Sequence, residues 1–374
     1  MTGAILTASG RVPTTTRIRR GDVMRTVGFE LPFFPEDCTA DVIVARRMGP
    51  LAGKNVLITG GLGFIGSNLA IRLVRDGARV TVCDAMIEGY GGNFANVREV
   101  KTEIEIHLSD VRDEEEMGRL VAGRDVVFHL AAQVSHVLSL SNPYPDIDIN
   151  IRGTAAVLEA CRKVNPSAVV VRSGTRGQYG PTVTLPVSEE TPANPRGIYE
   201  ISQLSAEMIC RTYTRIHGIR TVPLRLTNVY GPRGQMKHSQ FGVVNWFVRL
   251  ALTGEPIPIF GSGRILRDFL YVDDCVDALV ATACEPATVG EVLNVGDDQA
   301  STFLEVAEIL RDLVPGTRIV FTDFTPERKA QEPGDFVSDI SKIRRLTGWE
   351  PRVGLREGLA RTVDFYRERR ADYF

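Results

Sequence analysis

Short runs of β-branched and aliphatic residues alternate with amphipathic stretches through the first two-thirds of the chain. Runs at 56–59, 79–83, 104–107, 126–130 and 168–171 are rich in Val and Ile and too short for helices. Between them apolar residues recur at helical spacing, which predicts helices near 67–76, 114–121 and 150–163. Such alternation builds a parallel sheet with helices on both faces, because each crossover must pack back onto the sheet. A helix over 199–217 and a strand over 221–225 extend it. After residue 228 the pattern loosens into Pro- and Gly-rich loops, with helices near 242–252, 303–313 and 355–369. The expected class is therefore α/β: a doubly wound parallel sheet over 51–228, joined by parts of 257–295, with a smaller C-terminal α/β lobe formed mainly by 229–374.

The turn after the first run reads Thr59-Gly60-Gly61-Leu62-Gly63-Phe64-Ile65-Gly66. Gly60, Gly63 and Gly66 are spaced so that a strand turns tightly, its backbone approaches a pyrophosphate, and the next helix packs close to the sheet. The helix N-terminus then presents unpaired N–H groups to phosphate. The second run ends on Asp84, placed to accept hydrogen bonds from the adenosine ribose. A carboxylate there repels a 2′-phosphate, so the pattern specifies a Rossmann fold using NAD rather than NADP.

Composition narrows the class further. The chain has 374 residues, 43% hydrophobic and 24% charged, with a formal net charge of -2, as in ordinary globular proteins. No basic surface argues for nucleic acid, and no apolar run approaches the roughly 18 residues that span a bilayer. Six cysteines without a Cys-x-x-Cys pair read as mostly buried, reduced residues of a cytoplasmic protein. Nothing resembles a metal site. Residues 1–50 lack sustained periodicity and are expected to form a loosely ordered extension. It is either sequence upstream of a start at Met48 or an arm over 27–34 that packs on a neighbouring subunit.

From Leu51 onward the chain resembles extended short-chain dehydrogenases/reductases of the nucleotide-sugar epimerase and dehydratase family. The glycine motif matches at every defined position. Asp110-Val111 matches the family's pair at the adenine, His129-Leu130-Ala131-Ala132 its fourth-strand motif, and Asn150 with Gly153-Thr154 its central helix. Arg225-Leu226-Thr227-Asn228-Val229-Tyr230-Gly231-Pro232 follows the motif whose Asn lies near the sugar-nucleotide diphosphate. Arg267-Asp268-Phe269 with Val272-Asp273-Asp274 matches the motif whose Arg clamps a phosphate. The resemblance implies transient oxidation of a sugar carbon with tightly held NAD, a nucleotide-diphosphate sugar as substrate, and a homodimer built on helices equivalent to 153–164 and 202–217.

Two departures from the family bear on chemistry. Its acid/base is the tyrosine of Tyr-x-x-x-Lys; here Tyr199 is followed by Gln203. A tyrosine of pKa near 10 is only about one-thousandth ionised at pH 7, and the lysine supplies a charge that favours tyrosinate. Gln203 keeps a hydrogen bond to the nicotinamide ribose but not that charge. Counting back four residues from Tyr179 gives Thr175, the family's assisting hydroxyl. The following positions, Asp and Glu in the 4,6-dehydratases, are Arg176 and Gly177. Elimination and decarboxylation thus lack their usual carboxylate, leaving epimerisation by exclusion.

Arg176, Gln133 and His136 are candidate linings of the sugar pocket. Lys237 falls where GDP-mannose 3,5-epimerases carry a catalytic lysine, so it is a candidate acid or a substrate contact. Two alternatives stay open: a dehydratase or carbanion-type epimerase using Lys237, and a non-catalytic NAD-binding protein.

Overall fold

The computed structural model describes residues 48–324, 329 and 332–374. Apart from 48–50, the expected N-terminal extension lies outside the described residues, as do its 27–34 arm and Cys38.

Strand β1 (Asn55–Thr59) leads into helix α1 (Phe64–Arg75), then β2 (Arg79–Cys83), β3 (Ile104–His107), α2 (Glu114–Val121) and β4 (Val126–His129). Helices α3 (His136–Ser141) and α4 (Gly153–Val164) follow, then β5 (Val169–Thr175), α5 (Ile198–His217) and β6 (Arg220–Leu226). A seventh strand, Leu293–Val295, lies beyond β6, and the sheet order runs from it through β6-β5-β4-β1-β2-β3, every pair parallel.

The two faces of this sheet are covered by different residues of the same strands. Val56 and Ile58 join a core with Leu69, Leu73 and Val276, whereas Leu57, between them, joins Val127, Val157 and Cys161 on the opposite side. Side chains alternate across a strand, so a strand buried on both faces reads as an unbroken apolar run. Third and separate is a cluster containing Tyr230, Phe247, Ile257, Phe269, Leu310 and Tyr366.

Helix ends follow local chemistry. Helix α1 starts three residues before the expected 67, with Gly63 in extended conformation as its N-cap and no acidic residue in its first turn. Helix α2 is capped by Asp113, whose side chain accepts the Glu116 N–H at 3.0 Å.

The helix expected over 150–163 is instead two elements. A π-helical turn, Asp146–Arg152, precedes α4. There Asn150 Oδ1 accepts the Gln133 N–H at 2.9 Å while its Nδ2 donates to the Gln133 carbonyl at 3.0 Å and to Ser202 Oγ at 2.9 Å. Inserted residues of this kind often re-aim side chains at functional sites.

The sequence pattern also missed the helix Val272–Cys284, which packs on α1, and the parallel pair Ile257–Phe260 with Ile319–Thr322. Cys83, Cys161, Cys210 and Cys275 are buried free thiols, while Cys284 is exposed. No described helix is long and apolar enough to cross a membrane.

Candidate functional site

A cleft of about 430 Å³ opens at the carboxyl ends of the central strands. Its floor is the turn after β1, where the strand order reverses between β1 and β4, the usual ligand crevice of such sheets. Gly60 has φ +70°, and a Cβ there would lie 2.8 Å from the Ala131 nitrogen. A Cβ on Gly66 would lie 2.3 Å from the Gly60 carbonyl oxygen, so only glycine lets α1 sit this close to the turn. Gly63, Phe64 and Ile65 complete the rim at the α1 N-terminus.

Asp84 lines the same cleft. Its carboxylate accepts the Leu62 N–H at 3.0 Å and the Met86 N–H at 2.9 Å. Burial pushes its pKa up, and the two backbone donors pull it back. Asp110 and Val111 also line the cleft, as do Leu130, Ala131 and Ala132. Arg112 forks onto Asp110 with Nε at 2.9 Å and Nη2 at 2.7 Å, holding that carboxyl below its ordinary range. A backbone cradle too tight for a side chain, a helix start free of acid and a carboxylate at the end of β2 fit a dinucleotide carrying a free ribose 2′-hydroxyl.

Behind the cradle, His129 is fully buried between two hydroxyls, with Nδ1 2.8 Å from Thr59 Oγ1 and Nε2 3.1 Å from Thr154 Oγ1. Burial, with the nearby Arg172 charge, pushes its pKa down to about 3, so it braces β1, β4 and α4 as a neutral ring.

The opposite wall carries Thr175 from the end of β5, Tyr199 and Gln203 from α5, His136 from the start of α3, and Arg176, Gly177 and Asn228. Tyr199 is 7% exposed. Burial, with the Glu200 and Asp146 charges, raises its pKa, while the Thr175 hydroxyl and the Arg172 charge act in the other direction.

Thr175 is held by Gln178, whose Oε1 accepts the Thr175 N–H at 3.1 Å, and its own hydroxyl accepts the Gly177 N–H at 3.1 Å. The His136 ring meets Tyr199 edge-on with centroids 4.7 Å apart, and its Nδ1 lies 2.5 Å from Glu200 Oε1. Burial raises the Glu200 pKa, but the His136 contact, the backbone and the Arg176 charge together outweigh it and leave the carboxylate below its ordinary range. Arg176 lies over the Phe336 ring at 5.0 Å, and burial, aided by the Arg267 charge, lowers its pKa to about 10.

Three expected residues are not on the cleft wall. Gln133 is fully buried, with Nε2 2.7 Å from Asp146 Oδ2, and its backbone is clasped by Asn150. Its place is that of a brace for the α3 loop rather than a substrate contact. Lys237 is exposed, although its neighbours Gln235, Ser239 and Gln240 line the cleft. Arg267 is 2% exposed and donates to the Leu266 carbonyl at 2.8 Å, the Gly334 carbonyl at 2.6 Å and the Glu332 carboxylate.

Two residues that the sequence reading passed over stand beside the site. One is Glu200, next to Tyr199; a Cβ on Gly177 would lie 2.8 Å from Glu200 Cγ. The other is Arg172, whose Nη2 donates to Gln203 Oε1 at 2.8 Å. The only sequence-level signal for either was a charged residue inside an otherwise apolar strand or directly after the tyrosine.

Residues 56–296 match the model of the NAD-dependent epimerase/dehydratase family. A UDP-glucose 4-epimerase of Mycolicibacterium smegmatis is 35% identical over 317 residues, covering 84% of this chain and 98% of that protein. UDP-glucuronic acid decarboxylase 1 of Xenopus tropicalis is 32% identical, covering 84% of this chain and 72% of that one. Among solved structures, dTDP-glucose 4,6-dehydratase from Streptomyces venezuelae, with NAD bound, superposes with a TM-score of 0.77 at 28% identity, covering 85% of this chain and 98% of that one. With the glycine cradle, Asp84 and the parallel sheet in agreement with these matches, the chain belongs to the NAD-dependent epimerase/dehydratase family, and its cofactor is NAD.

Proposed function

We propose that this protein is a nucleotide-sugar epimerase that inverts a sugar carbon by transient oxidation. The observation that carries the reading is that Tyr199 and Thr175 line the same cleft as the glycine cradle, with Arg176 and Gly177 in the positions where a lyase keeps its carboxylates. Tyr199 takes the proton from the sugar hydroxyl and later returns it, while the Thr175 hydroxyl hydrogen-bonds the same oxygen. Bound NAD supplies the acceptor that takes the hydride and gives it back. Gln203 contacts the nicotinamide ribose, and Gly60, Gly63, Gly66, Asp84, Asp110 and Val111 hold the rest of the cofactor.

Asn228 holds the substrate diphosphate from the cleft wall, and Arg267, buried off that wall, joins it by exchanging Glu332 for a phosphate. Arg267 supports this by already gripping an anion, Glu332, which a phosphate of like charge can replace. Arg176 adds positive charge beside the sugar. Division into a cofactor-binding part over 51–228, with parts of 257–295, and a substrate lobe mainly over 229–374 belongs to this proposal and is supported by the separate core around Phe247 and Phe269. A homodimer is part of it too, supported by exposed Val137, Leu140, Ile201 and Met208 on α3 and α5.

Glu200 favours a second reading. Its side chain fills the volume that a side chain at position 177 would take, and it pairs with His136 beside Tyr199. That His–Glu pair is a candidate acid/base for elimination, so a nucleotide-sugar dehydratase is the runner-up.

The test is incubation with UDP-, GDP-, CDP- and dTDP-sugars in deuterated water, followed by proton NMR. Inversion without deuterium at the inverted carbon supports the epimerase. Loss of water with deuterium uptake selects the dehydratase, and no change in any sugar overturns both.

A further inference from the structure

Arg172 is buried in the middle of the molecule at 2% exposure, on the strand that ends in Thr175. Its hydrogen bonds go to neutral acceptors: Gln203 Oε1 at 2.8 Å, the Gln203 carbonyl at 3.5 Å and Thr154 Oγ1 at 3.3 Å. The carboxylate whose charge reaches it, Glu207, is already forked by Arg225. A guanidinium desolvated without a bonded counter-ion is costly. Gln203 lies one helical turn after Tyr199, so both side chains share one face of α5.

We propose that Arg172 is a positioning residue that, held against Gln203, supplies from β5 the positive charge absent at position 203, and so favours the tyrosinate form of Tyr199. The inference rests on Tyr199 being the acid/base of the proposed reaction. It also explains the glutamine: a lysine at 203 would place an ammonium in hydrogen-bond range of a buried guanidinium, whereas an amide oxygen accepts from it. Arg172 and Gln203 are thus a matched pair, and the Arg172 charge acts on the Tyr199 phenol in the expected direction, against burial and the Glu200 and Asp146 charges.

The experiment reads the phenol itself. A fluorinated tyrosine, more acidic than tyrosine, is placed at position 199 of the full chain with NAD bound, and its titration is followed by fluorine NMR. Arg172→Met should raise the position-199 pKa by at least about one unit, a tenfold change in proton affinity. Arg172→Gln carries the same expectation if the Met variant does not fold, and Arg172→Lys should keep the wild-type titration. Gln203→Lys added to Arg172→Met should bring the pKa back.

A folded, NAD-bound Arg172→Met or Arg172→Gln variant that titrates like wild type overturns the proposal, as does a double variant that restores nothing. The readout needs no sugar. Failure of every nucleotide sugar to react would count against the epimerase reading while leaving this result intact.

Discussion

Glu207 braces the cleft wall that carries Thr175, and its removal yields a defined energy. Both Glu207 oxygens are forked by Arg225, with Nε at 2.9 Å and Nη2 at 2.7 Å, and Gln178 Nε2 donates at 2.5 Å. The pair is 6% and 2% exposed at Arg225 and Glu207, so water does not screen it. Arg225 Nη1 is buried without a partner among the described residues, and its guanidinium lies 4.5 Å over the Tyr179 ring, which leaves Glu207 as its counter-ion.

Glu207→Gln keeps the shape and removes the charge. Breaking a buried pair from one side costs about 3–5 kcal/mol because the surviving ion stays desolvated. One amide oxygen still accepts from Arg225, so about 3 kcal/mol is expected at pH 7. Urea unfolding followed by circular dichroism should show a lower midpoint with an unchanged slope. Replacing both partners, Arg225→Met with Glu207→Leu, should be less destabilising than Glu207→Gln alone, because no orphan charge remains. A loss below about 1 kcal/mol in the single variant, or a double variant worse than the single, would refute this account of the pair. Because Gln178 ties Glu207 to the Thr175 backbone, the single variant should also turn over more slowly.

Gly60→Ala forces a left-handed φ on an L-residue, at roughly 1–2 kcal/mol, and drives a methyl into the Ala131 backbone. NAD affinity by calorimetry should fall at least tenfold, and unchanged affinity would remove Gly60 from the cradle. Burial raises the Asp146 pKa from 3.8 to about 6, so the stability it contributes is full below about pH 3.8 and is lost as pH rises through 6. Asp146→Asn should therefore gain stability relative to wild type as pH rises from about 4 to about 6.5 and keep that advantage above it. The ceiling is about 3 kcal/mol and about 1–2 kcal/mol is expected after solvent screening; a difference independent of pH in urea titrations would contradict it. Ile201→Glu with Met208→Asp, on one face of α5, should abolish the proposed dimer in light scattering, and a monomeric wild type would dispose of that surface as an interface.

What the sequence determined by itself was local. The strand–helix alternation and the glycine turn were legible because each rests on neighbours within a few residues: Gly60, Gly63 and Gly66 sit in one turn, and Asp84 ends the next strand. Helix α2 matched its expected limits because Asp113 caps it from the adjacent position.

Tertiary structure decided the rest. A three-residue strand such as Leu293–Val295 shows no periodicity, and it becomes a strand only because β6 offers an open edge. The helix expected at 150 yielded to a π-turn whose Asn150 clasps Gln133, a partner 17 positions away. The sequence showed that positions 177 and 203 lacked a carboxylate and a lysine. Only packing could bring Glu200 into the space beside Gly177, and Arg172 from a strand 31 positions earlier against Gln203. Charge acts through space, so a site can keep its electrostatics while the residues that supply them move to other elements of the chain.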